Sequence, residues 1–336
     1  IQGILQGNGM GPFVWAFIST ILIGCMHTMG YTSYLQGAMT ALVIRMMGYA
    51  FVDDTDLIIT SRDNSTPASA LLNRFQQAVD CWEGVLRASG GGLEPTKTFW
   101  YLIDHKWTGN KWEYHSTLDT PGDITILTPD GTARTTLERV EPGEARKTLG
   151  IYIAMDGNQQ QQKEYLRDKG LEFADAYRVS HGLEKNDAWQ GVMSTIMSTF
   201  KYPAMATTLS YDDWQEVVRP VFQAGLPKSG ISRAFPRDVL FGPTLFQGAG
   251  VLQPFHYQEL EHLETILRCG NLESAAGGLI QMSMEDFRLQ LGLPGSMTDW
   301  DYELLGGSIT DCWLKTVWKY CSEREISLHD KLPKLE

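Results

Sequence analysis

The chain has 336 residues, enough to bury a sizeable core as one large domain or two smaller ones. Hydrophobic residues make up 43% and there are 10 Trp, which excludes a disordered chain. Against 28 Lys and Arg stand 40 Asp and Glu, a net charge of −12, so no overall basic field favours nucleic acid and any such contact has to be local.

The first residue is Ile1 and patterned sequence begins at once, so the chain reads as a fragment whose N-terminal portion is absent. Gly3, Gly7, Gly9 and Gly11 lead to Pro12, which can open a helix; that helix is expected over about 13–29. No charge occurs before Arg45, and 12–29 is largely apolar, which raises the question of a membrane span. Ser19, Thr20, Gly24, His27 and Thr28 interrupt the run, basic flanks are missing, and a signal peptide lacks its basic start. The reading is a buried core helix and no membrane partner.

Residues 42–59 read as two short strands joined at an acidic cluster. Leu71, Leu72, Phe75, Val79, Trp82 and Leu86 have helical spacing within 66–88, and Gly90-Gly91-Gly92 ends that helix. A hairpin is expected from Phe99–Trp107 through Thr108-Gly109-Asn110 to Trp112–Tyr114. A second one turns at Pro129-Asp130-Gly131, between Ile124–Ile126 and Thr135–Val140. A strand at Thr148–Ala154 follows. From about 160 the pattern is mainly helical, with breaks at Pro203, Pro227, Pro236 and Pro243, so the domains are expected as 1–155 and 156–336. Cys25, Cys81, Cys269, Cys312 and Cys321 are odd in number and form no CxxC pair, as suits reduced thiols in an intracellular protein.

The acidic cluster, in GYAFVDDTDLII, sets Asp53, Asp54 and Asp56 between two apolar runs. Two ionised carboxylates about 4 Å apart repel by roughly 4 kcal/mol at an effective dielectric of about 20. A divalent cation removes that penalty, and Mg²⁺ commonly takes one or two carboxylates plus substrate phosphates. A solvated acidic turn explains the same residues. So does an Asp-x-Asp metal turn of a sugar-nucleotide transferase, for which Asp54-Thr55-Asp56 would serve.

Phe51-Val52-Asp53-Asp54 resembles the aromatic-x-Asp-Asp signature of reverse transcriptases. Leu5-Gln6-Gly7-Asn8-Gly9-Met10-Gly11-Pro12 is similar to the family's Gln-Gly-x-x-x-Ser-Pro block, with Gly11 in place of Ser. Gly92-Leu93-Glu94-Pro95-Thr96-Lys97-Thr98 resembles its Gly-Leu-x-x-x-x-Lys-Thr segment, and Leu149-Gly150 its Leu-Gly strand after the palm. The four blocks follow the family's order and cover about 1–155. The insertion between Lys97 and Leu149 looks more like a eukaryotic retroelement branch than a retroviral enzyme.

The resemblance implies an α+β fold: part of a right-hand polymerase palm, an antiparallel sheet with packed helices, then a mainly helical thumb and C-terminal region. It implies an RNA-directed DNA polymerase working on an RNA template, a DNA primer and deoxynucleoside triphosphates through a two-metal Mg²⁺ site. Asp53 would be the main metal ligand and Asp54 its support. Lys97 would reach the triphosphate, Gln6, Gly7 and Pro12 would line the substrate pocket, and Phe51 would pack near the primer end. The family's other metal-binding Asp lies before the Gln-Gly block, where five residues are present here. The metal site is therefore expected to be incomplete and the chain inactive as given, with fingers and remaining palm in an N-terminal remainder. Asp104 and Asp175 are out of order and read as ordinary carboxylates.

Arg219, Lys228, Arg233 and Arg237 fall in a stretch without acidic residues, which suits either a phosphate backbone or a solvated basic loop. Trp100, Trp107 and Trp112 suit either base stacking or core packing. A polymerase-derived domain that binds RNA or protein without catalysis is the alternative to the enzyme.

Overall fold

The computed structural model describes residues 11–51, 54–63 and 65–328. The chain divides into two units: Ile1–Glu144 with Glu273–Met282, and Ala145–Leu272 with Ser283–Glu336.

The first unit opens with α1 (Gly11–Thr28), then β1 (Ser33–Gln36), β2 (Val43–Met46), β3 (Gly48–Phe51), β4 (Asp54–Leu57) and α2 (Ala68–Ala88). Short strands follow: β5 (Phe99–Tyr101), β6 (His105–Thr108), β7 (Lys111–Tyr114), β8 (Thr125–Leu127), β9 (Arg134–Thr136) and β10 (Glu138–Val140). The helical spacing in 66–88 produces two apolar faces on α2. Ala78, Trp82 and Leu86 pack with Leu22 and Met26 of α1 and with Met47 and Leu57 around the hairpin. Leu72 and Val79 pack with Trp100, Ile124 and Ile126. Between these faces, polar side chains of α2 serve β8 as a substitute strand. Gln76 accepts from the Thr125 N–H and donates to the Thr125 carbonyl, both at 2.8 Å. The buried Glu83 carboxylate accepts the Leu127 N–H at 3.0 Å on each oxygen, and Arg87 donates to the Thr128 carbonyl at 2.7 Å.

Helix α1 is only half the core helix expected. It buries Leu22 and Met26 but leaves Phe13, Phe17 and Ile21 exposed. No helix among the described residues is long and apolar enough to cross a membrane.

The second unit begins with β11 (Arg146–Thr148) and β12 (Ile151–Ile153) and is otherwise helical: α3 (Gln160–Val179), α4 (Lys185–Gln190), α5 (Met197–Ala204), α6 (Tyr211–Lys228), α7 (Arg237–Phe241) and α8 (Pro254–Cys269). Helix α9 (Ala275–Leu291) belongs to this unit from Ser283, and α10 (Tyr302–Leu305) and α11 (Trp313–Glu323) complete it. A π-helical turn, Gly191–Ile196, joins α4 to α5. Leu166, Val192, Phe200, Trp214, Val217 and Val221 form the core. Gly170 lets α3 approach α6, since a Cβ there would stand 2.8 Å from the Val217 carbonyl oxygen. Ser210 and Asp213 start α6 with a reciprocal capping box. Trp318 of α11 is fully buried, 5.6 Å from Phe287 and 5.0 Å from Tyr302 between ring centres.

The fold is α+β, as expected, but several local expectations change. Among the described residues the strands form six separate pairs, not one palm-like sheet, and β5 pairs with β10 in parallel. The expected Phe99–Trp107 strand is two strands. β5 buries Trp100 and pairs with β10, and only β6 turns through Gly109-Asn110 into β7. Thr135–Val140 likewise splits into β9 and β10. Strand β1, which pairs with β2, was not anticipated. Leu149 and Gly150 are not strand residues. Both have positive φ (51° and 85°) and make the two-residue turn between β11 and β12, the torsions such a hairpin requires. Pro203 and Pro227 each sit one residue inside the end of a helix, and Pro220 lies within α6.

Candidate metal-binding hairpin

Strands β3 and β4 pair antiparallel in the register Gly48↔Leu57, Tyr49↔Asp56, Ala50↔Thr55 and Phe51↔Asp54. Alternate residues of a strand share a face, so Tyr49, Phe51, Asp54 and Asp56 lie together on one side. Tyr49, Phe51 and Asp54 are exposed and Asp56 is half-buried. The opposite side carries Leu57, which packs into the α1–α2 core and anchors the hairpin. Gly48 makes the close pairing possible: its φ is +142°, and a Cβ there would collide with the Asp56 carbonyl.

Charge is crowded on this face. Burial first, and then the Asp54 charge, raise the Asp56 carboxyl above its ordinary value, while a hydrogen bond from Tyr49 opposes them. The Tyr49 phenol is pushed up to about 12 by burial, by the Asp56 charge and by its hydrogen bond to Asp56. A carboxylate with oxygen-only donors, beside a second carboxylate that resists ionisation, is the chemistry that Mg²⁺ or Ca²⁺ relieves.

Of the residues singled out by sequence, Phe51 and Asp54 are brought together as cross-strand partners. Asp53, Gln6 and Gly7 lie outside the described residues. Pro12 falls in the first turn of α1, its side chain outside the described atoms. Lys97 is exposed in the turn after Glu94, its N–H bonded to the Glu94 carbonyl at 3.1 Å, and makes no ion pair with Asp54 among the described residues. No group of three or more His, Cys, Asp or Glu among the described residues is placed to hold a metal. Tyr49 was missed; counting the two-residue period back across the hairpin from Asp56 would have found it.

The four cationic residues of the second unit are not one basic strip. Arg219 and Arg237 line a cavity of about 350 Å³ with Asp212, Gln215, Glu216 and Phe222, so acids share the space that the linear sequence showed as free of them. Arg237 lies over the Phe222 ring at 5.2 Å. Lys228 is bonded to the Ser180 carbonyl at 2.7 Å, and Arg233 is exposed in the following loop. Trp100 is core, whereas Trp107 and Trp112 are exposed and pack edge to face at 5.1 Å across β6–β7. Asp104 pairs with His115 at 2.9 Å and Asp175 with Arg178 at 2.5 Å, as ordinary surface carboxylates do.

No family model, no curated protein and no solved structure matches the chain.

Proposed function

We propose that the β3–β4 hairpin is the acidic hairpin of an RNA-directed DNA polymerase of a retroelement, and that the chain belongs to a template-directed nucleotidyltransferase. One observation carries the reading: Phe51 and Asp54, the first and last residues of the aromatic-x-Asp-Asp motif, are cross-strand partners of the β3–β4 pair. Its place among four sequence blocks in the family's order supports the same reading.

Asp53 and Asp54 would hold Mg²⁺, which when bound would activate the primer hydroxyl and neutralise the leaving pyrophosphate. The exposed Phe51 ring would pack against the primer end. Tyr49, the cross-strand partner of Asp56, would keep the neighbouring carboxyl turned along the strand. Lys97 would reach the triphosphate, and the cavity between Arg219 and Arg237 would meet template or primer phosphates in the thumb. This sequence supplies the Asp53–Asp54 part of the family's carboxylate set; the third Asp has no counterpart among its motif blocks.

Mn²⁺, as a paramagnetic probe, should broaden NMR signals of Phe51 and Thr55, and D53N/D54N should abolish the effect. Primer extension on a primed RNA template, in any form of the protein that shows it, should be lost in Asp53→Ala with folding intact. Retained extension would sink the assignment. RNA binding that needs no Mg²⁺ and survives Asp53→Asn, with no Mn²⁺ effect at the hairpin, would support a non-catalytic RNA-binding domain instead.

A further inference from the structure

Helices α1 and α2 pack through Leu22 and Met26 on one side and Ala78, Trp82 and Leu86 on the other. Arg74, early in α2, donates to the carbonyl of Gly30, just past the end of α1, at 3.0 Å. The end of α1 therefore lies beside the start of α2, and the two run antiparallel. Ala78 is fully buried in this contact, and so small a side chain lets the helix axes come close.

The contact brings one cysteine of each helix to the same seam. Cys25 follows Leu22 by three residues and Cys81 follows Ala78 by three, so each is turned about 60° to the same side of its contact residue. A two-fold axis relates antiparallel helices, so equal flanks border one seam. Cys25 stands five residues before Gly30 and Cys81 seven after Arg74, which puts them within about 3 Å of the same level. With axes about 8 Å apart and Cα atoms about 2.3 Å from each axis, such flanks stand roughly 6 Å apart. A disulfide accepts Cα atoms about 4.4–6.8 Å apart. Both thiols are free and half-buried, and Cys81 packs on the α1–α2 core. The Cys81 thiol is raised first by burial and then by the charge of Cys25, as neighbours across a seam require.

We infer that Cys25 and Cys81 are a redox modification site, a thiol pair that closes into a reversible disulfide and clasps α1 to α2. The oxidant is a small-molecule disulfide of the glutathione class. The Cys25 thiolate attacks one of its sulfurs, the S–S bond breaks, and one thiol leaves a mixed disulfide on Cys25. The Cys81 sulfur then gives up its proton and attacks the Cys25 sulfur, and the second thiol leaves. The protein loses two electrons and two protons, and the small disulfide becomes two thiols. Cys25 goes first because burial makes Cys81 the harder thiol to ionise.

The clasp acts where α1 is held least. That helix keeps only one face on the core and leaves Phe13, Phe17 and Ile21 exposed. Leu57 of β4 packs into the same α1–α2 core, so closing the disulfide would stiffen the support of the hairpin. Opening and closing with the surrounding thiol pool is the behaviour of intracellular disulfides, which are transient and sense redox state.

The test uses the whole folded chain, equilibrated with oxidised and reduced glutathione at a series of ratios, then thiol-blocked, digested and read by mass spectrometry. A peptide linked through Cys25 and Cys81 is expected, lost on adding dithiothreitol and at least tenfold more abundant than in the same chain unfolded in urea. In Cys81→Ser the second step is missing, so glutathione should stay on Cys25 at a level at least tenfold above wild type. Glutathione persisting on both cysteines of the folded wild type, no reaction at either, or a link no more abundant than in urea would overturn the site. That wild-type comparison decides the matter even where Cys81→Ser does not fold.

Discussion

Tyr49 and Asp56 face each other across the β3–β4 hairpin, and each raises or restrains the other's ionisation. Asp56 therefore makes the hairpin less stable when ionised. A carboxyl raised above 3.8 in the folded state binds its proton more tightly there than in the unfolded chain. Its contribution is fullest below that value and is lost as pH rises through the folded pKa.

The consequence for Asp56→Asn is a protein more stable than wild type at pH 7. The advantage should shrink on acidification and vanish below about pH 4. Urea denaturation at a series of pH values measures it; an advantage independent of pH would contradict the assignment.

Gly48→Ala should be costly for a different reason. The residue has φ +142° and its Cβ would strike the Asp56 carbonyl. A loss of more than about 1 kcal/mol is expected, together with disturbed cross-strand amide signals in Tyr49 and Thr55. An unchanged melting temperature would refute the pairing.

Glu83→Ala removes a buried carboxylate that holds the Leu127 N–H and pairs with Arg87 at 3.3 Å. The expected loss is about 1.5–3 kcal/mol, as for hydrogen bonds to a charged group. Gln76→Ala should cost about 1–3 kcal/mol, since the Thr125 N–H loses its partner and the Thr125 carbonyl keeps only the Arg134 guanidinium, at 2.8 Å. Chemical denaturation of each variant checks both figures.

Leu149→Asn should stabilise the second unit by about 0.5–1 kcal/mol. Asn tolerates the left-handed torsions that Leu149 adopts at φ 51°, and the Tyr202 hydroxyl still finds the residue 149 carbonyl, now 2.6 Å away. A lowered midpoint would show that the leucine side chain is needed where it is.

The elements legible in the sequence were those built on local periodicity. The apolar spacing of α2 and the apolar run of α1 gave both helices, and the Gly109-Asn110 turn gave β6–β7. What escaped depended on distant partners. β5 is a strand because β10 lies beside it in parallel, 39 residues away (138 − 99), and no local pattern announces that. In the same way Leu149-Gly150 reads as strand by composition, yet its torsions are those of a turn. Of the site, the carboxylates were legible and their face was not. That Tyr49 joins Asp56 follows from register, which the sequence specifies only through the burial of Leu57 on the other side.

Helix α2 has one more consequence, for the order in which the first unit assembles. Strand β8 has β9 on one edge, and on the other the side chains of Gln76, Glu83 and Arg87, spaced along one helix face. Those groups are in line only when the helix is wound. The helix thus acts as a template for the strand, and the strand cannot form its full set of bonds first. In native-state hydrogen exchange, the Thr125 and Leu127 amides should become exposed together with the middle of α2, as one cooperative unit.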